Sequence, residues 1–295
     1  MKTDPPSWAQ RVGPVALVVA VLIVVWYAAA VWLNAPQVIE RLNGIGNPWG
    51  AKGLIGAAWS MERPVLPAPH QIVADWWTSV FEADLDSPRS LVYHAGVTLS
   101  STLVGFALGM ALGVLIAIGV VHSRVLDRGL LPWIIASQTI PIIALAPMIV
   151  VIMNQFDVTG VVPKATISAY LSFFPVTVGM VKGLRSPDPL QLDLMRTYSA
   201  SRLQTFFKLR APASVPFLFT SLKVAVAASL VGAVVAEMTK SEDGGFGARL
   251  LAGSYYGQTI QIWAALFAAA FCAAMLVMLV GIADRAVSKR MGYVR

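Results

Sequence analysis

Two side chains in this 295-residue sequence stand where charge is expensive. Lys223 and Glu237 fall within or at the ends of an apolar run at 214–238. Their separation returns to within about 40° of the same face of a helix, so both are expected on one interior surface. Charged groups in such runs mark solute paths, gates and polar interfaces, although near a span end a long side chain can also reach water. With Ser137, Gln138, Thr139, Asn154, Thr220 and Ser221 they form the candidate solute pathway. Each uncharged member equally suits hydrogen bonding between helices. Covalent chemistry is poorly supplied. The sequence has no G-x-x-x-x-G-K-[ST], H-E-x-x-H or G-x-S-x-G, and His70, His94 and His122 are far apart. Its one cysteine, Cys272, lies in an apolar run and can form neither an internal disulfide nor a cysteine metal cluster. The expectation is a non-catalytic chain that binds no cofactor or metal, with "GGFG" at 244–247 as a loop turn.

These residues need a frame, and composition names its solvent. The chain is 57% hydrophobic and 13% charged, and its mean hydropathy of +0.70 is outside the soluble range. A membrane-spanning helix needs about 20 mostly apolar residues, and six runs supply them, roughly at 13–33, 96–121, 129–153, 161–181, 214–238 and 259–283. The first exceeds the length of a signal-peptide core and reads as a retained helix. The predicted fold is an all-α integral membrane protein of about six transmembrane helices. It divides into an N-terminal helix and long connection (1–95), a five-helix core (96–285) and a tail (286–295). With the N-terminus inside, inside segments hold 14 Lys and Arg against seven in much longer outside loops. The positive-inside rule therefore places both termini in the cytoplasm. The same asymmetry accounts for the net charge of +7 without a nucleic-acid partner.

Local patterns refine the frame. In the 34–95 connection, Ile72, Val73, Trp76, Trp77 and Val80 recur at helical spacing, which predicts an amphipathic helix over 70–81, either a membrane anchor or a docking surface for another protein. Gly105, Gly109 and Gly113 share one helix face and would let a neighbouring helix approach closely. Pro132, Pro141 and Pro147 predict kinks in the third run. Between the fourth and fifth runs lies "DLMRTYSASRLQTFFKLRAP" (193–212), which carries four Lys or Arg. Its apolar Leu192, Met195, Leu203, Phe206 and Phe207 and its charged Asp193, Arg196, Arg202 and Lys208 alternate as in an amphipathic helix over 191–209. Such a segment lies on lipid headgroups or sets its apolar face in a partner's groove.

The spacing of this stretch resembles the cytoplasmic loop signature of ATP-binding cassette (ABC) importer permeases: E-A-A, three residues, G, nine residues, I-x-L-P. Asp193-Leu194-Met195 take the first three places, Ser199 the glycine place, and Leu209-Arg210-Ala211-Pro212 the end. "TLSSTLVGFALGMALG" (98–113), "IPIIALAPM" (140–148), "FFPVTVGMVKGL" (173–184) and "PFLFTSLKVAVAASLVGAVVAEM" (216–238) are similar, in order and spacing, to the nitrate, sulfonate and taurine group of these permeases.

The resemblance implies a type I importer fold in the bacterial inner membrane, working as a homodimer with two cytoplasmic ATPase subunits. ATP and Mg²⁺ would be bound and used in those subunits. A periplasmic or lipid-anchored solute-binding protein would deliver the solute, a small anion or a small heterocycle such as a pyrimidine precursor. It also implies that the loop 183–213 carries a coupling helix. Met195, Tyr198, Ala200 and Leu203 would grip the ATPase, Asp193, Arg196 and Arg202 would fix register, and Pro212 would close the signature. Ser199 in the glycine place implies either a straighter helix or a strained bend. Leu194 and Met195 in place of two alanines imply a bulkier grip, and Asp193 is one methylene shorter than the family's glutamate. Asn154 stands where the group usually has glycine, and Ser101 where it often has a basic residue. A secondary transporter or channel is the alternative, but it would want charged or broken helices in both halves. A structural membrane subunit would explain the glycine face but not the loop.

Overall fold

The computed structural model describes residues 8–44 and 50–292. Lys2 and Arg295, counted above among the inside charges, lie outside the described residues, as do the final residues of the 286–295 tail. All regular structure among the described residues is helical. Twelve α-helices follow in order: α1 (Trp8–Gly44), α2 (Ala51–Trp59), α3 (Pro69–Trp77), α4 (Leu91–His122), α5 (Arg124–Ser137), α6 (Ile142–Gln155), α7 (Val161–Leu184), α8 (Pro189–Thr197), α9 (Arg202–Thr205), α10 (Ala211–Thr239), α11 (Phe246–Tyr255) and α12 (Thr259–Arg290). The chain divides into two compact units. One holds α1 to α3 and residues 250–266; the other holds residues 85–249 and the remainder of α12.

In the first unit the long connection is folded onto α1 by one amide. The buried Asn34 donates from Nδ2 to the carbonyls of Ala58 (3.2 Å) and Leu66 (2.9 Å). Its Oδ1 accepts from the backbone N–H of Val65 (2.8 Å) and Leu66 (3.2 Å). Every polar atom of the side chain is thereby satisfied, as burial demands. The indole of Trp26 donates to the Pro67 carbonyl (3.0 Å), and its ring meets that of Trp263 at 5.0 Å. The helix expected over 70–81 is α3 followed by a π turn at Thr78–Glu82. Ile72 is its buried member, while Val73 and Trp77 are exposed.

The second unit is built on α7, which packs against α4 on one side and α10 on the other. The glycine face expected on α4 is the seam. A Cβ on Gly105 would come within 2.6 Å of the Ala165 carbonyl, one on Gly109 within 2.8 Å of that of Ala169, and one on Gly113 within 2.7 Å of that of Phe173. With no Cβ the two backbones touch, and dispersion over the seam holds the pair where lipid offers no hydrophobic drive. Small residues repeat the device between α7 and α10, where Gly232 abuts Ser168 and Gly179 abuts Ser221. Ser229 Oγ also reaches across to the Thr102 carbonyl at 2.9 Å. Below the seam Ala117 and Val120 of α4, Val176, Met180 and Leu184 of α7, and Leu222 and Ala225 of α10 close a continuous apolar core.

The third apolar run is not one helix. It breaks between α5 and α6, whose axes differ by 101°. Pro141 caps the start of α6 and is the cause, because it excludes the preceding residue from helical backbone. Pro132 and Pro147 sit inside α5 and α6. Among the described residues five unbroken helical stretches are long and apolar enough to cross a membrane, or six if the bent pair is one span.

Replacing Gly109 by leucine forces side-chain atoms into the α7 backbone and is expected to cost about 3 kcal/mol or more. A thermal melt of the detergent-solubilised variant checks this, with Gly129→Leu as the comparison, since a Cβ at Gly129 meets nothing within 4 Å.

Candidate functional site

The connection from α7 to α10 is a chain of caps and turns. Asp188 opens α8 with a capping box: its Oδ1 accepts from Leu190 N (2.8 Å), and Gln191 Oε1 accepts from Asp188 N (3.2 Å). Pro189 takes the first helical position, where no N–H is needed. At the other end Ser199 N–H donates to Arg196 O (2.8 Å) and Ala200 N–H to Met195 O (2.9 Å). That is the Schellman pattern, which requires a left-handed residue, and Ser199 supplies it with φ +51°. The expected single helix over 191–209 is therefore two, and of the alternatives for Ser199 the strained bend is the one found. Ser201 then caps α9, accepting from Gln204 N at 3.2 Å while Gln204 Oε1 accepts from Ser201 N at 2.8 Å.

From Arg202 the chain runs without a break to Thr239. Pro212 therefore lies inside a helix and does not end the loop. It has no N–H and its ring crowds the preceding turn, and the backbone answers with a π turn at Phe206–Arg210, where Ala211 N–H donates to Phe206 O. The Phe206 ring stands edge-on to His122 at 5.3 Å, and Arg210 donates to the Leu184 carbonyl at 2.8 Å. Together these fix the loop to the ends of α4 and α7.

The face that this geometry presents differs in part from the one expected. Leu190, Leu194 and Tyr198 are 77, 54 and 77% exposed and, spaced four apart, form one row. Leu203 and Phe207 continue the apolar surface. Met195, expected to grip, is half-buried, as are Leu192 and Ala200. Asp193 and Arg196 pair with each other at 2.9 Å, and Arg202 is exposed.

The pathway candidates do not form one cluster. Ser137 and Thr139 bond to the carbonyls of Ile134 and Ala136 at the α5–α6 break, with Gln138 exposed between them. Asn154 is exposed near the end of α6. Thr220 and Ser221 satisfy their hydroxyls on Pro216 O and Leu218 O. These two also line a cleft of about 530 Å³ between α7 and α10, with Phe174, Phe217 and Lys182.

Lys223 and Glu237 do not share one surface. A separation that keeps them on one face also sets them about 21 Å apart along the axis, at 1.5 Å per residue. Lys223 Nζ pairs with Asp284 Oδ2 of α12 at 2.7 Å, and Ser288 Oγ donates to the other oxygen of the buried Asp284. Glu237 is fully buried. Its Oε2 accepts from Thr98 Oγ1 (2.9 Å) and from Gly247 N–H (3.0 Å). Around it Thr98 Oγ1 accepts from Phe246 N, and His94 Nδ1 accepts from Gly245 N–H at 3.0 Å. His94 Nε2 then donates to the Pro88 carbonyl at 2.9 Å. Lys164, also buried, pairs with Asp243 at 3.4 Å. "GGFG" is thus more than a turn: Gly245, at φ +106°, lies where a Cβ would fall on the Glu237 carboxyl. Thr98, His94, Lys164 and Asp284 were missed by sequence reasoning, the first three because nothing local ties them to a residue more than 70 positions away.

Known proteins resolve what this assembly belongs to. Residues 109–293 match the binding-protein-dependent transport system inner membrane component family. The chain belongs to that family and is the permease subunit of an ABC importer, a multi-pass membrane protein. It is 33% identical to the formylaminopyrimidine transport permease protein ThiX of Halalkalibacterium halodurans, over 61% of this chain and 68% of that protein. It is 28% identical to the riboflavin transport system permease protein RibX of Chloroflexus aurantiacus, over 75% and 78%. To the nitrate import permease protein NrtB of Leptolyngbya laminosa it is 26% identical, over 58% and 61%.

Left-handed backbone costs a residue with a Cβ about 1–2 kcal/mol. Ser199→Gly is therefore expected to raise the melting temperature, by about 2–4 °C per kcal/mol recovered, and Ser199→Val to lower it; differential scanning fluorimetry distinguishes the two.

Proposed function

We propose that α8, the Ser199 turn and α9 are the coupling element that docks in a cytoplasmic ATPase subunit, and that the chain pairs with a second copy to enclose the solute path. The observation that carries this is the row Leu190, Leu194 and Tyr198, extended by Leu203. A doubly capped short helix holds these large apolar side chains out in the open, and contiguous exposed apolar surface marks an interaction site. The positive-inside asymmetry puts the row in the cytoplasm, with both termini on the same side. ATP and Mg²⁺ belong to the ATPase, and this chain transmits its motion. The ring contact of Phe206 with the end of α4 and the hydrogen bond of Arg210 to the end of α7 support a rigid transfer from loop to membrane helices. Leu194→Asp with Tyr198→Asp is expected to abolish co-purification with the ATPase while membrane insertion stays normal. Undiminished co-purification would refute the docking role.

For the solute we propose a planar heterocycle. The cleft between α7 and α10 offers the rings of Phe174 and Phe217 beside the hydroxyl residues Thr220 and Ser221, with Lys182 its one charged residue. Aromatic faces suit flat ring systems better than small hydrated anions. The relatives named for formylaminopyrimidine and riboflavin point the same way. Cells expressing the assembled importer should take up labelled formylaminopyrimidine or riboflavin, with uptake reduced about tenfold by Phe217→Ala, a loss of the size expected for one stacked ring. Nitrate or sulfonate uptake in place of either heterocycle would overturn the assignment.

A further inference from the structure

Behind the proposed docking row lies a cavity of about 500 Å³ that the solute path does not use. Its wall includes the ends of α4 and α7, the start of α5, and the α8–α9 segment. Five arginines line it, Arg124, Arg185, Arg196, Arg202 and Arg210, with His122 and a single carboxylate, Asp127. The internal partners do not neutralise this charge. Asp127 is taken by Arg185 at 2.8 Å, Arg196 turns to Asp193 at 2.9 Å, and Arg210 spends one N–H on a neutral carbonyl. Arg124 and Arg202 have no ion pair or side-chain hydrogen bond among the described residues. Guanidinium groups gathered round one cavity repel unless something anionic sits between them. Their rigid forks match the several oxygens of a phosphate group, which can accept from two or more at once.

We propose that this cavity is a binding site for a phosphate-bearing anion. The occupant would bridge two parts of the wall that the fold joins only at a few points. Arg124 and Arg185 belong to the ends of the membrane helices, whereas Arg196 and Arg202 belong to the docking segment. Phosphate held between them stiffens the segment against those ends, so its presence adjusts how firmly the loop is coupled to the helices. The same chemistry can come from an anionic phospholipid headgroup or from free phosphate.

The test uses the full chain in an uncharged detergent without an ATPase, so that its outcome is separate from that of the docking experiment. Inorganic phosphate, short-chain phosphatidylglycerol and short-chain phosphatidylcholine are titrated while the melting temperature is followed. The expected result is a saturable rise with phosphate or phosphatidylglycerol, weakened by added salt. Arg124→Gln with Arg202→Gln should need at least tenfold more ligand, and Lys289→Gln with Arg290→Gln, away from the cavity, should behave as the unaltered chain. Saturation by phosphate alone assigns a free anion; a response confined to phosphatidylglycerol assigns the headgroup. Should the double variant fail to fold, Arg202→Gln alone, in the exposed turn, must show the weakened binding. No saturable response to either probe overturns the proposal, as does equal binding by the unaltered and Arg202→Gln chains.

Discussion

The close approach of α4 to α7 is the contact on which the remaining structure depends. Lipid gives no reward for burying one apolar helix against another, so the pair must be held by contact between backbones. Gly105, Gly109 and Gly113 make that contact possible by removing the Cβ at each turn of the seam. α7 then stands as a fixed wall between α4 and α10, with small residues on both of its faces. The polar loop that links α7 to α10 inherits its geometry from this wall, because both of its ends are helices locked in the same packing. The proposed docking element would need such a base to transmit force, since a helix free to slide would absorb the motion.

The buried polar groups form a second level of constraint. Glu237 carries a carboxyl into a site with no solvent access, and two elements supply its partners and their neighbours: α4 through Thr98 and His94, and the 244–247 turn through its backbone N–H groups. Near the middle of α10 Lys223 is matched by Asp284. Each charge joins α10 to a different neighbour, so the helix is pinned at its middle and near its C-terminal end. Removing one partner from such a set strands the other in a medium that cannot solvate it. Both residues therefore hold α10 against its neighbours through paired polar contacts.

The α8–α9 segment shows how local rules and tertiary needs divide a short stretch. Capping and turn chemistry define α8 at both ends. That definition turns Leu190, Leu194 and Tyr198 outward and Met195 partly inward. The arginines beneath the segment share the same origin, since a basic loop folded back on the basic ends of α4, α5 and α7 concentrates like charge in one cavity.

The sequence by itself determined the solvent, a frame of about six apolar runs, the glycine face and the presence of a basic helical loop. All of these rest on composition or short periodicities, in which each residue's neighbours in sequence are also its neighbours in space. Spacing in the loop and four further blocks were enough to identify the family. What only the tertiary structure decided is who faces whom. The break at Pro141 was legible as a kink but not as a turn of 101°. The fate of Ser199 depended on hydrogen bonds to Arg196 and Met195 that either a bend or a straight helix could have replaced. Thr98 and Glu237 meet across 139 positions and Lys223 and Asp284 across 61. A periodicity places such residues on a face and leaves open which helix that face meets and at what depth. The packing of α4, α7 and α10 settles both, because only one register brings glycine opposite backbone along the whole seam.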